Sequence, residues 1–272
     1  MAQHSNSARV LARPWSSATA FSPDELLEAV RRSKALPAIA VPEVCLLDFD
    51  GDLTDWLVAT GQTRVCDSWA CFHTKLHVFD AGAVQAGIIA RTIGGPYAVL
   101  VAEQLHASGA RVILGLTSAG RISASLQVPG LVVAADAIRD EGTSHHYLPD
   151  SDLIATDPTL VSALTEALHG LETSVTAGTV WTTDAPYRET LEQIEGYRSQ
   201  GVLAVEMQAA SLYAFAEARS ALCAVVAHIT NAVDCAPDSQ FDKGTNERGF
   251  AIAQAMCRTA SRWLSDGARM ES

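Results

Sequence analysis

Short, continuously apolar runs alternate along this chain with segments whose apolar positions recur at the three-to-four spacing of a helix. Val41–Phe49, Gly87–Ile93, Arg111–Leu116, Leu131–Ala135, Ser174–Trp181 and Ala221–Ile229 read as strands, and Ser68–Val78 as a further, loosely alternating one. Ser22 caps a helix that starts at Pro23, carries Asp24 and Glu25 in its first turn, and ends near Lys34, before Pro37. Further helices are expected over Tyr97–Ser108, Leu160–His169, Glu189–Ser199, Ala209–Ala216 and Asn246–Leu264. Asp48–Asp52, Thr183–Glu189 and Thr230–Gly244 read as loops. Strands and helices alternate without a linker or an internal repeat, which predicts one α/β domain over 41–272 with a central sheet. Residues 1–40 form an extension with one surface helix.

Composition narrows the class. At 272 residues and 48% apolar content there is length for a sizeable core. No stretch reaches the roughly 18–20 uninterrupted apolar residues of a membrane span, and the start lacks the apolar block of a signal peptide. A net charge of −12 argues against a nucleic-acid partner, which needs a basic face. The six cysteines (45, 66, 71, 223, 235 and 257) include no CxxC pair, the usage of reduced thiols. The expectation is a soluble, acidic, cytoplasmic protein with no membrane partner.

Four stretches carry candidate chemistry. In Val205–Ala216 (VEMQAASLYAFA), small residues let a helix lie close on a sheet, so the Glu206–Met207–Gln208 tip is held firmly at a pocket edge. Leu46–Asp55 (LLDFDGDLTD) is similar to the nucleophile strand of haloacid-dehalogenase-type phosphatases, which would make Asp48 the nucleophile, Asp50 the acid and Mg2+ the counter-charge. A capping, solvating turn is the rival reading of those acids. Gly115–Ile122 (GLTSAGRI) has Arg121 and Ile122 where a nucleotide-phosphate loop needs Lys and Ser/Thr. It still presents Ser118 and backbone N–H groups at the carboxyl edge of a sheet. His73 with Lys75 forms a modest cationic pair able to meet an anion, whereas the adjacent His145 and His146 lack further ligands at metal spacing. No metal site is expected.

Three segments together resemble the nucleoside phosphorylase and nucleosidase superfamily, in particular its uridine-phosphorylase-like branch. They are Ile93–Tyr97 with the helix reaching Glu103-Gln104-Leu105, then Leu116–Gly120, and Gly201–Tyr213. Thr182–Tyr187 and His228–Asn231 fall where that family keeps its base-contacting loops, so the likeness spans about residues 41–260. It implies a twisted mixed sheet flanked by helices, homodimers or hexamers with shared sites, and no cofactor beyond phosphate as co-substrate. The implied reaction is cleavage of a nucleoside's N-glycosidic bond by phosphate or water, through an oxocarbenium-like transition state.

Carried over, Met207 lies under the sugar, with Glu206 and Gln208 near its 2′ and 3′ hydroxyls. Thr117, Ser118 and Gly120 border the sugar and nucleophile, Tyr187 and Arg188 the base, and Asn231 hydrogen-bonds the base edge. Glu206 and Asn231 are the catalytic candidates, and Gly51, His73 and Ser118 the anion site. The chain departs from the family at the phosphate arginines, where it has Asp55 and Gly115, and at the ribose carboxylate, where it has Gln208. Asp55 is expected to repel phosphate. Those departures shift weight from phosphorolysis towards hydrolysis, and leave a non-catalytic or repurposed nucleoside-binding protein as the alternative.

Overall fold

The strand at the centre of the sheet, β1 (Val44–Asp48), is buried at every position, the pattern of a strand covered on both faces. The computed structural model, which describes residues 15–171, 173–232 and 243–270, sets β1 between β4 (Gln85–Ala90) and β5 (Val112–Arg121), parallel to both. Beyond β4, β3 (His77–Asp80) and β2 (Thr63–Val65) add by antiparallel pairing. On the other side, β5 pairs in parallel with β10 (Leu222–Ala232), and β10 pairs antiparallel with β6 (Gly130–Asp140). From there β6 runs parallel to β8 (Val175–Thr183), β8 parallel to β9 (Ala204–Glu206), and β9 returns antiparallel onto β5. These strands close into a ring, which removes their exposed edges. A short strand, β7 (Leu153–Ala155), pairs with β6 outside the ring.

The sheet's two-residue alternation sorts the core. Cys45, Leu47, Ile113, Cys223 and Val225 face one layer, which holds α3 (Gly95–Ala107) and α7 (Ala209–Arg219). Val44, Leu46, Val112, Leu114, Ala224 and Val226 face the other, which holds α2 (Asp52–Ala59), α5 (Pro158–His169) and α8 (Asn246–Met270). Among the described residues the other α-helices are α1 (Pro23–Lys34), α4 (Ser144–Tyr147) and α6 (Leu191–Ser199). The expected capping box of α1 is present, Ser22 and Glu25 exchanging side-chain-to-backbone bonds.

Every residue of α7 from Ala209 to Ala216 is buried, as its run of small side chains led one to expect. Gly95 is what lets α3 come this close: a Cβ there would lie 2.1 Å from Ser211 Oγ in α7. The hydroxyl of Tyr213 pins α7 to the ring, donating to the Ala134 carbonyl at 2.7 Å and accepting from the Val225 N–H at 3.2 Å.

The chain differs from its predicted elements in instructive places. Ser68–Leu76 forms no strand: the Trp69 N–H turns back to the Cys66 carbonyl and its indole donates to Thr74 Oγ1, so β3 begins only at His77. His73 and Lys75 therefore share no strand face. The expected acidic loop after β1 ends at once in α2, and β10 continues through Thr230 to Ala232, where a loop was expected. Residues 233–242 of that predicted loop lie outside the described residues.

Replacing Tyr213 with Phe leaves a buried carbonyl and a buried N–H without their shared hydroxyl. Urea unfolding should show a loss of about 1–3 kcal/mol at an unchanged slope.

Candidate functional site

Register brings the separate sequence motifs to one edge. Gly120 of β5 lies between Val205 of β9 and Asn231 of β10, and Ser118 pairs with His228. Thr182 of β8 lies beside Glu206, the last residue of β9. Residues far apart in the chain thus converge where strands β5, β8, β9 and β10 give way to loops and α7, at the kind of carboxyl edge where α/β sheets hold ligands.

Glu206 is 3% exposed and its oxygens are fully engaged. Thr182 Oγ1 donates to Oε1 at 2.5 Å, and the Gln208 and Ala209 N–H groups donate to Oε2 at 2.6 and 2.9 Å. The carboxyl therefore anchors the first turn of α7, where a helix favours negative charge. Burial nevertheless outweighs these donors and pushes its pKa up to about 7. Gln208, 2% exposed, turns its Oε1 to the Met207 N–H at 3.2 Å and Thr117 Oγ1 at 3.4 Å. Between these two buried polar residues, Met207 is half-buried. The edge is a fixed polar frame with one thioether open to a ligand.

The loop after β1 is built differently from the expected anion site. Asp48, 2% exposed, accepts from the Gly51 N–H at 3.1 Å and from Thr54 N–H and Oγ1, each at 2.8 Å. It is a capping residue, which sets aside the phosphatase reading of a nucleophilic Asp48. The Gly51 N–H, expected to face an anion, faces Asp48 instead. Ser118, expected to hold the nucleophile, gives both its N–H (2.9 Å) and its Oγ–H (2.7 Å) to Asp50 Oδ2. Lys243 reaches the same oxygen at 2.9 Å and Asp52 at 2.9 Å.

Two departures also find physical explanations. Asp55 is not an uncompensated repulsive charge, because Arg91 pairs with it through both guanidinium nitrogens. Arg91 adopts a left-handed backbone (φ 60°), and its Cγ lies 2.7 Å from where a Cβ on Gly51 would stand. Gly115 leaves room for Phe49, whose ring would lie 2.7 Å from a Cβ at that position. An apolar ring therefore fills the volume beside Gly115.

The other expected residues are more dispersed. Arg188 lines a pocket of about 430 Å3 together with Arg139, Glu141, Trp181 and Asp184, and neither Met207 nor Gln208 borders it. Tyr187, beside it, is 99% exposed. Exposed His73 leans on Tyr97 at a ring separation of 5.6 Å. Asn231 sits in β10 opposite Gly120, and its side chain lies outside the described residues. Sequence reasoning did not anticipate Arg91, Lys243 or the role of Asp50. Their partners lie 36 residues away for Arg91 and far across the chain for the others, with no local pattern to mark them.

The raised pKa of Glu206 has a definite sign. The folded state holds its proton from the ordinary carboxylate range up to about 7, so this group's contribution falls as pH rises through that window. Glu206→Gln removes the titration. From pH 4.5 to pH 7 the stability difference between variant and wild type should therefore move in the variant's favour by about 1–3 kcal/mol, read from urea midpoints.

Comparison with known proteins places this geometry. The chain is similar to a guanosine phosphorylase of Halorubrum lacusprofundi (29% identity over 137 residues, 49% of this chain and 57% of that protein). It is also similar to a uridine phosphorylase of Thermococcus kodakarensis (26% over 242 residues, 78% and 84%). A third relative is a DeoD-type purine nucleoside phosphorylase of Myxococcus xanthus (33% over 119 residues, 43% and 50%). The chain thus spans about half the length of the guanosine and purine nucleoside phosphorylases it matches. The model of the phosphorylase superfamily matches residues 59–262, three quarters of the sequence and all of the edge just described. This chain belongs to the phosphorylase superfamily.

Proposed function

We propose that this protein cleaves the N-glycosidic bond of a nucleoside at the Glu206–Met207–Gln208 edge. The observation that carries the reading is the frame itself: a half-buried Met207 between two buried polar residues, with Gln208 tied to Thr117 across 91 residues of chain. A ribose seated on Met207 would meet the Gln208 amide and the Thr117 hydroxyl. The relatives named for guanosine, uridine and purine nucleosides support the substrate class. As the bond lengthens, positive charge grows on the sugar, and the Gln208 carbonyl oxygen offers it a dipole where a carboxylate would offer a full charge. Glu206 is a positioning residue in this scheme, because its oxygens hold α7 and the Gln208 backbone.

The reaction needs no cofactor, and the acceptor is phosphate or water. We read the working form as a homo-oligomer, as the resemblance to the family implies. We read the compartment as the cytoplasm, since Cys45, Cys66, Cys71, Cys223 and Cys257 are all free and buried.

Chromatography of a purine and pyrimidine nucleoside panel, with and without phosphate, should show free base released in at least one condition. Gln208→Ala should lower kcat/KM for the best substrate by about tenfold to a hundredfold, the range of one lost hydrogen-bonding partner in a transition state. Absence of base release from every nucleoside would overturn the proposal.

A further inference from the structure

The anion cradle of this site is already occupied, by the protein. Ser118 presents an N–H and an O–H in the geometry that would hold an oxyanion, and both point at Asp50 Oδ2, 2.9 and 2.7 Å away. Lys243 completes the set as a third donor, at 2.9 Å from the same oxygen. One carboxylate oxygen thus receives the two donors and the cation that a phosphate oxygen would want.

The space beside it is small. Asp48, Asp50, Asp52, Thr117, His228 and Lys243 border a cavity of about 30 Å3, room for one or two water molecules and not for the five heavy atoms of phosphate. Its walls bring three carboxylates against one ammonium. His228, 5% exposed, adds no charge near neutrality, because burial and the nearby Arg248 and Lys243 push its pKa down to about 4. Its Nε2 is buried and has no hydrogen-bond partner among the described residues. Among the described residues no arginine lines this cavity: Arg91 is held by Asp55, and Phe49 fills the volume beside Gly115.

We propose that Asp50 is a built-in substitute for the acceptor anion, so that the site excludes inorganic phosphate and transfers the sugar to water. The second half rests on the glycosidic reading above; occupation of the cradle does not. In the hydrolytic step, the water oxygen bonds to the anomeric carbon as the carbon–nitrogen bond breaks. The electron pair of that bond leaves with the base. Of the two water protons, one stays on the new sugar hydroxyl and the other ends on the departing base, so the products are free pentose and free base. Asp50 is the residue that sets acceptor specificity.

Two measurements test this separately. In the first, the wild-type protein, Asp50→Ser and Asp50→Ala are titrated with inorganic phosphate by calorimetry, and circular dichroism identifies which variants fold. Ala also removes the carboxylate and its volume, and serves where the serine variant does not fold. Wild type should give no binding heat, and the folded variant should bind phosphate with a Kd near 1 mM or tighter, at least tenfold tighter than wild type. Millimolar phosphate binding by wild type, or none by any folded variant, overturns the inference whether or not a nucleoside is ever cleaved. In the second, the rate of base release by wild type should not change when phosphate is added, and the sugar product should be free pentose. Release that requires phosphate, or a pentose phosphate product, also overturns it. If no base is released at all, the glycosidic reading fails, and the phosphate titration still decides the role of Asp50.

Discussion

A carboxylate cannot be buried to 3% exposure without donors, and the way Glu206 obtains them organises this molecule. Its donors are the hydroxyl of Thr182 on β8 and the first free N–H groups of α7. The same groups would otherwise be orphaned at a helix start inside the protein. Each side thus resolves the other's unmet polar group. The consequence is positional: β8, β9 and α7 meet at one fixed corner, and Gln208 and Met207 inherit their places from it. The helix that follows cannot drift, because its first eight residues are buried and Tyr213 bonds the ring behind it.

The second corner, after β1, shows how an acidic chain handles carboxylates near a ligand edge. Asp48 is consumed by capping α2, Asp50 by Ser118 and Lys243, and Asp55 by Arg91. The pairs differ in weight. Arg91 and Asp55 are both more than half exposed, so solvent screens their attraction and the bond matters mainly because it occupies the guanidinium. Asp50 receives its donors in a more enclosed place, with Ser118 fixed in β5, so its position is set by the sheet.

Much of this was legible in the sequence, and the reasons for the rest are physical. Long apolar runs located β1, β5 and β10, and small residues located α7, because burial on both faces leaves a strong compositional mark. Strands β2, β7 and β9 left none: three residues carry no periodicity, and their pairing is decided by neighbours distant in sequence. The Glu206–Met207–Gln208 tip was recognisable, yet not that Glu206 would be enclosed by three donors, since Thr182 comes from another strand. Asp55 looked like a repulsive charge because Arg91, 36 residues on, gives no sign of turning back towards it. Only its left-handed backbone, visible in the fold, makes that turn.

Gln208 then has an explanation that does not depend on lost activity. A second carboxylate at that position would stand two residues from Glu206, at the same buried edge. Glu206 already titrates near 7, and Glu141 pushes in the same direction. Two carboxylates in such a place do not both ionise near neutrality. A glutamine keeps the oxygen that accepts from Thr117 and Met207 and avoids the repulsion. In the proposed reaction the exchange would weaken attraction for a cationic sugar, and a frame holding the sugar by dipoles would rely the more on where those dipoles point. That is why the corner at Glu206, which aims them, carries more of this site than any single group the ligand would touch.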